Sequence, residues 1–371
     1  MNAFLTFNDS PSGVYRSQVI EVLRILNQLQ DEEFVLLAFI PRQNYKANKE
    51  QIKRWYPRSK VYPILPGLRY WKASRWLFSR VNRKLKPKLI ISRGVVAAHF
   101  ALYAKNKEQK IIYDGRGAIK AEQEEFAVYS GSLGSSISEM EKDAVLNTDF
   151  RISVTEALVK YWQDTFGYNN DAHVVIPCLS SAAQTDAHKS AIKDSFFDTQ
   201  APILVYSGST SPWQSFPLLI DKVSSWLRQT EGKVLFLTRP HEDIKALVVE
   251  FGDRVKNLFV APERVSDYLL ACDYGLLIRE DKVTNQVASP VKYAEYLSAG
   301  LEVIISDCIE DYATFTKEYN TGLVIKNSDQ ISTTLSKRTG EAKKEIKEIY
   351  REHLSAENYY GTYRHLLQCA T

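Results

Sequence analysis

Lys292 and Glu295 stand three residues apart in the segment 273–306, DYGLLIREDKVTNQVASPVKYAEYLSAGLEVIIS. A helix there puts both charges on one face, about one turn apart. Ser289 has the short polar side chain that suits an N-cap, and Pro290 suits the first turn, where a missing N–H costs nothing. Unpaired N–H groups and the positive end of the helix dipole then face the preceding loop, and an anion is their natural occupant. A cation in the first turn opposes that dipole, so helix stability does not explain Lys292. N–H groups and an ammonium for a diphosphate, with a carboxylate accepting from vicinal ribose hydroxyls, amount to a nucleoside-diphosphate site. The competing reading is an amphipathic helix with an ordinary i,i+3 ion pair.

Such a site needs a strand before the loop and a helix after it, and the chain offers that arrangement repeatedly. Short apolar runs alternate with longer amphipathic stretches: Ala3–Phe7, a helix near Tyr15–Leu29, Phe34–Ile40, Val61–Leu65, Leu89–Ser92, Lys110–Tyr113, Phe150–Val154 and His173–Ile176. This order predicts a parallel sheet covered by helices. The polar stretch Ser180–Gln200 marks a hinge. Beyond it Ile203–Tyr206, Val234–Thr238, Lys256–Val260, Tyr274–Ile278 and Glu302–Ser306 repeat the pattern, and a charged helical tail runs from Gly340. A chain of 371 residues is too long for one ordinary core. The expected fold class is α/β, with two Rossmann-like doubly wound domains over 1–178 and 179–355, and a terminal helix over 356–371.

In open α/β sheets ligands bind beyond the carboxyl ends of the strands, which singles out the loops that follow strands. In NDSPSGVYRSQ (8–18), Gly13 permits close approach of a phosphate or an acceptor, or simply closes a turn. Arg93 in SRG (92–94) stands at a strand end. YDGRGAIKAEQEE (113–125) concentrates Asp114, Arg116 and Glu122 near glycines. There Asp114 is a candidate to orient or deprotonate an acceptor hydroxyl while Arg116 holds an anionic group. The alternative is an internal Asp–Arg pair that stabilises the loop. Arg279 and Glu280 follow Tyr274–Ile278 and either meet a ligand or pair with each other at the strand end.

SPVKYAEYLSAGLEVIIS (289–306) closely resembles the donor-site signature of the retaining, family-four (group 1) glycosyltransferases, Pro-x-Lys-x-x-Glu-Tyr-Leu-x-x-Gly followed by an apolar strand. The N-terminal half also resembles bacterial members over most of its length. The resemblance implies the GT-B fold, with two domains facing each other across a cleft and the 356–371 helix crossing back to the N-terminal domain. It implies transfer of a hexose-type sugar with retention, from a nucleotide-diphosphate-sugar of UDP or GDP type to a glycan or lipid-linked acceptor in surface polysaccharide synthesis. It assigns the nucleotide ribose to Glu295 and phosphate to the backbone of Pro290 and Val291, with Gly300 ending the helix. YSGSTSPWQSF (206–216) is similar to the family's opening strand and Gly loop, where Gly208 lets the backbone approach a phosphate or sugar.

Two departures matter. The second family glutamate, eight residues before the ribose glutamate, is Val287 here, so Arg279 or Glu280 is the candidate to contact the donor sugar. Relatives often carry an Arg and a Lys soon after the glycine, whereas this loop offers Ser207, Ser209, Thr210 and Ser211. Arg239, after Val234–Thr238, is then expected to help neutralise the diphosphate together with Arg279 and Lys292. No DxD motif is present, and neither a metal nor a cofactor is expected, the nucleotide-sugar being a substrate. A nucleotide-sugar epimerase or hydrolase of the same fold is the alternative, separable by whether turnover requires an acceptor.

Net charge is +4, yet residues 41–90 hold fifteen Lys or Arg and a single acid, Glu50. Trp55, Tyr56, Tyr62, Tyr70, Trp71, Trp76 and Phe78 are interleaved with them, a mixture suited to the headgroups of an anionic membrane. The other readings are a solvated basic face with its aromatics turned inward, and a site for an anionic acceptor or nucleic acid. The segment matches no compact nucleic-acid-binding motif, so no nucleic-acid partner is expected. Cys178, Cys272, Cys308 and Cys369 are scattered without zinc or disulfide spacing. With no leader pattern and no run of apolar residues long enough to cross a bilayer, the expected location is cytoplasmic, with peripheral attachment to the inner face of the cytoplasmic membrane through 41–90.

Overall fold

A computed structural model describes every residue except 65–66, 181–191, 193 and 370–371. The expected strand end at Leu65 and most of the hinge stretch 180–200 lie outside the described residues. The chain divides into two units: Met1–Leu179 with Val287–Ser289 and Ala356–Thr371, and Ser180–Gln286 with Pro290–Ser355.

The first unit is built on seven parallel strands, β1 (Asn2–Phe7), β2 (Phe34–Ile40), β3 (Ser59–Pro63), β4 (Leu89–Arg93), β5 (Lys110–Asp114), β6 (Phe150–Ser153) and β7 (His173–Val175). Their order in the sheet is β3-β2-β1-β4-β5-β6-β7. All six residues of β1 are buried, as a strand covered on both faces requires. On one face Phe4, Leu36, Ile91, Ile112 and Ile152 form a core to which the terminal helix Tyr360–Cys369 adds Tyr363, Leu366 and Leu367. The continuous helix expected over 15–29 starts instead at Gly13, widens into a π-turn over Arg16–Ile20 and returns to α geometry over Glu21–Gln28. Four successive residues, Ser17 to Ile20, are thereby buried together, which a simple amphipathic stripe does not allow.

The second unit has six parallel strands, β8 (Ile203–Ser207), β9 (Lys233–Leu237), β10 (Val255–Leu258), β11 (Tyr274–Leu277), β12 (Glu302–Ser306) and β13 (Gly322–Ile325), ordered β10-β9-β8-β11-β12-β13. β13 is absent from the sequence reading; it is a four-residue edge strand, too short for its period to stand out. The helix Val291–Ser298 lies close on the sheet because Gly275 in β11 has no side chain. A Cβ there would stand 2.1 Å from the Tyr296 ring. The Tyr296 hydroxyl in turn accepts from the Ser207 N–H at 3.0 Å, tying this helix to the end of β8. Gly300, at φ +80° just past the helix, terminates it in the left-handed conformation that glycine adopts without strain.

Strand order reverses between β1 and β4 in one unit and between β8 and β11 in the other. Such switch points open a crevice at the carboxyl ends of the two strands. Asn8–Asp9 and Arg93 emerge at the first, and Gly208 and Arg279 at the second.

Candidate functional site

At the second switch point two cations are buried side by side. Arg279 leaves β11 and Lys292 lies in the first turn of the helix Val291–Ser298; both are largely withdrawn from solvent. Gln214, in the 3₁₀ turn Pro212–Gln214 after β8, offers one carboxamide oxygen to both, accepting from Lys292 Nζ at 2.9 Å and from an Arg279 terminal nitrogen at 3.3 Å. The other terminal nitrogen of Arg279 donates to Asn285 Oδ1 at 3.3 Å, while its Nε is buried without a hydrogen-bond partner. Lys292 Nζ also stands 4.2 Å from the centre of the Tyr206 ring. Gly208 lies directly against that ammonium: a Cβ would come within 2.8 Å of Nζ.

The ordinary i,i+3 ion pair is therefore not what the structure contains. Lys292 turns to Gln214 and Tyr206, and among the described residues no carboxylate reaches ion-pair distance of Lys292 or Arg279. Burial first, then the neighbouring Arg279 charge, holds the Lys292 ammonium well below its ordinary pKa, with Glu295 pulling the other way. Burial likewise lowers Arg279 to about 10. Glu295 is half-buried, its carboxyl raised by burial against the attraction of Lys292. Two adjacent positive charges removed from water, with no carboxylate at ion-pair distance among the described residues, favour an anion beside them.

The expected capping differs in detail. Pro290 occupies the N-cap position, and the helix begins at Val291 without a side-chain cap. The amides of Val291 and Lys292 have no intrahelical acceptor. Ser289 is not the cap, because its hydroxyl accepts from the Cys178 N–H at 2.8 Å within the first unit. Glu280 does not pair with Arg279; its carboxylate is 3.2 Å from Lys282, and its N–H donates to Ser215 Oγ at 2.8 Å. Ser209 supplies a backbone carbonyl to the Tyr206 hydroxyl at 2.5 Å and pairs through its own hydroxyl with Ser211. Arg239 does not join Arg279 and Lys292. It follows β9, one strand further out than β8, and lies exposed over the Phe259 ring at 5.0 Å. Gln214, Tyr206 and Asn285 are new to the site. Sheet order was the available signal, since β8 and β11 are neighbours and their loops must meet.

At the first unit's switch point the ions pair among themselves. Asp114, fully buried at the end of β5, has one carboxylate oxygen 2.7 Å from Arg116 Nε, while the other accepts from an Arg116 terminal nitrogen at 3.0 Å and lies 3.6 Å from Arg93. Arg93 also faces Asp9 at 3.9 Å. Arg116 donates further to Gln18 Oε1 at 3.2 Å, which the π-turn carries inward. Burial pulls the Arg116 pKa down, but Asp114 and Cys178 outweigh it and the net direction is up. Burial raises the Asp9 carboxyl, with Arg93 opposing. Asp114 has no open face for an incoming hydroxyl, so its geometry is that of the loop-stabilising pair rather than of a base. Glu122 is half-buried, its carboxyl raised by burial and then by Glu125. Gly13 simply opens a helix capped by Ser12, and its φ is not positive. Among the described residues no group of three or more His, Cys, Asp or Glu is placed to hold a metal ion.

Two doubly wound parallel α/β units in series, with sheets of seven and six strands, make up the GT-B architecture. Solved structures with this fold align over nearly the whole chain. HepE (Alr3699) of Anabaena in complex with UDP and glucose matches with a TM-score of 0.73 at 13% identity, covering 99% of both chains. Sucrose-phosphate synthase (tll1590) from Thermosynechococcus elongatus matches with a TM-score of 0.71 at 14% identity, covering 99% of this chain and 98% of the other. WaaG, a glycosyltransferase involved in lipopolysaccharide biosynthesis, matches with a TM-score of 0.59 at 12% identity, covering 99% and 94%. No protein-family model matches the chain, and no curated protein matches it by sequence.

Because the native state holds Lys292 below its ordinary pKa of 10.5, the unfolded chain binds more protons there once pH passes the native value. Stability should therefore rise with pH through that window, up to the ordinary lysine value. Lys292→Met should flatten this rise and add about 1 kcal/mol of stability at neutral pH. Thermal unfolding from neutral to roughly pH 10 checks both; a variant less stable than wild type with the slope intact would contradict the uncompensated charge.

Proposed function

We propose that the chain is a glycosyltransferase that binds a nucleoside-diphosphate-sugar in its second unit and transfers a hexose-type sugar, with retention, to a glycan or lipid-linked acceptor held by the first. The observation that carries this reading is the buried Arg279–Lys292 pair above Gly208, lacking a carboxylate partner. Departure of the nucleoside diphosphate leaves charge growing on a phosphate oxygen as the sugar C1 becomes oxocarbenium-like, and fixed cations stabilise that charge best where water is excluded. Lys292 and Arg279 would take the diphosphate, helped by the amides of Val291 and Lys292 at the Pro290 turn, while Glu295 accepts from the ribose hydroxyls. Arg279 and Glu280 are the candidates beside the donor sugar. Arg239, exposed at the end of the next strand out, is assigned as an outer cation of the donor site.

The solved complexes of HepE with UDP and glucose and with UDP-glucose support a uridine donor by analogy of fold. WaaG and the lipopolysaccharide outer core galactosyltransferase WaaB make surface glycan synthesis the pathway to test first. In the first unit, Arg93 and Arg116 are the groups we assign to an anionic acceptor, with Asp114 positioning Arg116. Nothing in the comparisons favours an epimerase or hydrolase.

Residues 41–90 fit peripheral attachment to an anionic membrane. Tyr56, Trp71 and Phe78 pack inward, but Trp76 is 60% exposed and Tyr70 55%, with the Arg80 guanidinium 4.5 Å from the Trp76 ring centre. Among the described residues no helix is long and apolar enough to cross a membrane.

Calorimetric titration with UDP and GDP tests the donor site. One of them should bind, and Glu295→Ala and Lys292→Ala should each weaken it by more than roughly 1 kcal/mol, as lost charge-assisted hydrogen bonds do. Binding indifferent to both substitutions would place the nucleotide elsewhere. Sedimentation with vesicles tests the surface. Vesicles rich in phosphatidylserine should pull down the wild type but not phosphatidylcholine vesicles, and Trp76→Ser with Arg80→Ser should cost about 1 kcal/mol or more of that affinity. Sedimentation with neither lipid would leave 41–90 a solvated basic face, and equal sedimentation with both would deny the anionic-lipid preference.

A further inference from the structure

Gln214 stands where the two cations of the donor site meet, and its chemistry differs from what an empty cation pair would select for stability. A carboxylate at this position would form ion pairs with both Lys292 and Arg279 and remove the cost of burying them. The chain places a neutral amide there, and Asn285, the other side-chain acceptor for Arg279, is also a neutral amide. The position of Gln214 is fixed on two sides. Its N–H donates to the Ser211 carbonyl at 2.8 Å, and the next residue, Ser215, adopts a left-handed conformation at φ +51° while its hydroxyl accepts from the Glu280 N–H at 2.8 Å. The β8 loop and the β11 loop are thus joined at Gln214–Arg279 and at Ser215–Glu280.

We propose that Gln214 is a specificity-determining residue of the donor site: its carboxamide oxygen stands in for a phosphate oxygen between Lys292 and Arg279, and gives way to the diphosphate without having neutralised the pair. This rests on the donor-site reading above. An amide has a second property that a carboxylate lacks. Rotation about its last side-chain bond exchanges oxygen for NH₂, so the group that accepts from the cations in the empty site donates to a phosphate oxygen in the filled one. A carboxylate would instead compete for the cations and repel the ligand, with a penalty that grows with ligand charge.

The test compares wild type, Gln214→Glu and Gln214→Ala in calorimetric titrations with UDP and UMP, or GDP and GMP if the guanine nucleotide is the one bound, alongside thermal unfolding. Gln214→Glu should unfold at a higher temperature than wild type yet bind the diphosphate at least about tenfold more weakly, with a smaller loss for the monophosphate. Gln214→Ala should lose only a few-fold for either nucleotide, roughly what one neutral hydrogen bond contributes. Diphosphate affinity unchanged in Gln214→Glu would overturn the inference. So would equal losses for both nucleotides with a lowered unfolding temperature, the signature of a merely structural loop residue. If wild type binds neither diphosphate, the donor-site reading itself fails. If wild type binds one and Glu295→Ala weakens it while Gln214→Glu does not, only the role of Gln214 is lost.

Discussion

Two positive charges that the fold withdraws from water, without giving them a negative partner, are the feature on which the second unit turns. Burying one unpaired charge is expensive, and burying two beside each other adds their repulsion. The unit meets this with neutral acceptors: Gln214 for both cations, Asn285 for Arg279, and the Tyr206 ring beneath Lys292. The glycine at position 208 leaves the space next to Lys292 Nζ that any side chain would fill. Close seating of the Val291–Ser298 helix over Gly275 brings Lys292 to that space, and the bond from the Ser207 N–H to Tyr296 fixes the approach. Sheet packing and site electrostatics are therefore one construction.

The two units share a topology but treat their ions in opposite ways. At the first switch point Asp114, Arg116, Arg93 and Asp9 balance one another's charge, with Gln18 accepting a further bond from Arg116. Such a network orders a loop and presents guanidinium groups at fixed positions. At the second switch point the cations have only amides and a ring. Charge balance thus separates a crevice whose guanidinium groups already face carboxylates from one whose cations face only neutral groups, although both arise from the same strand reversal.

Much of this was legible in the amino-acid sequence because parallel strands covered on both faces read as continuous apolar runs. Phe34–Ile40 and Glu302–Ser306 are found with their expected bounds, and the tail helix begins at Gly340 as its charge pattern indicates. β13 escaped because four residues at a sheet edge carry no period, and the π-turn at Arg16–Ile20 because local pattern does not register an inserted residue. Lys292 and Glu295 were visible from helical spacing, and Arg279 from its place after a strand. Gln214 was not, since nothing in a neutral amide 65 residues before Arg279 signals a contact until strand order makes their loops neighbours. Arg239 stands apart from the cation pair for the same reason: a place at a strand end does not say which strand separates it from the switch point.

The most direct test of the central claim is a crystal structure with bound nucleotide, UDP or GDP according to which binds more tightly. The account predicts diphosphate oxygens within hydrogen-bond distance of Lys292 Nζ and the Arg279 guanidinium, above Gly208, with the ribose hydroxyls on Glu295. A diphosphate bound elsewhere, for instance against Arg93 in the first unit, with Lys292 and Arg279 still sharing the Gln214 oxygen, would contradict it.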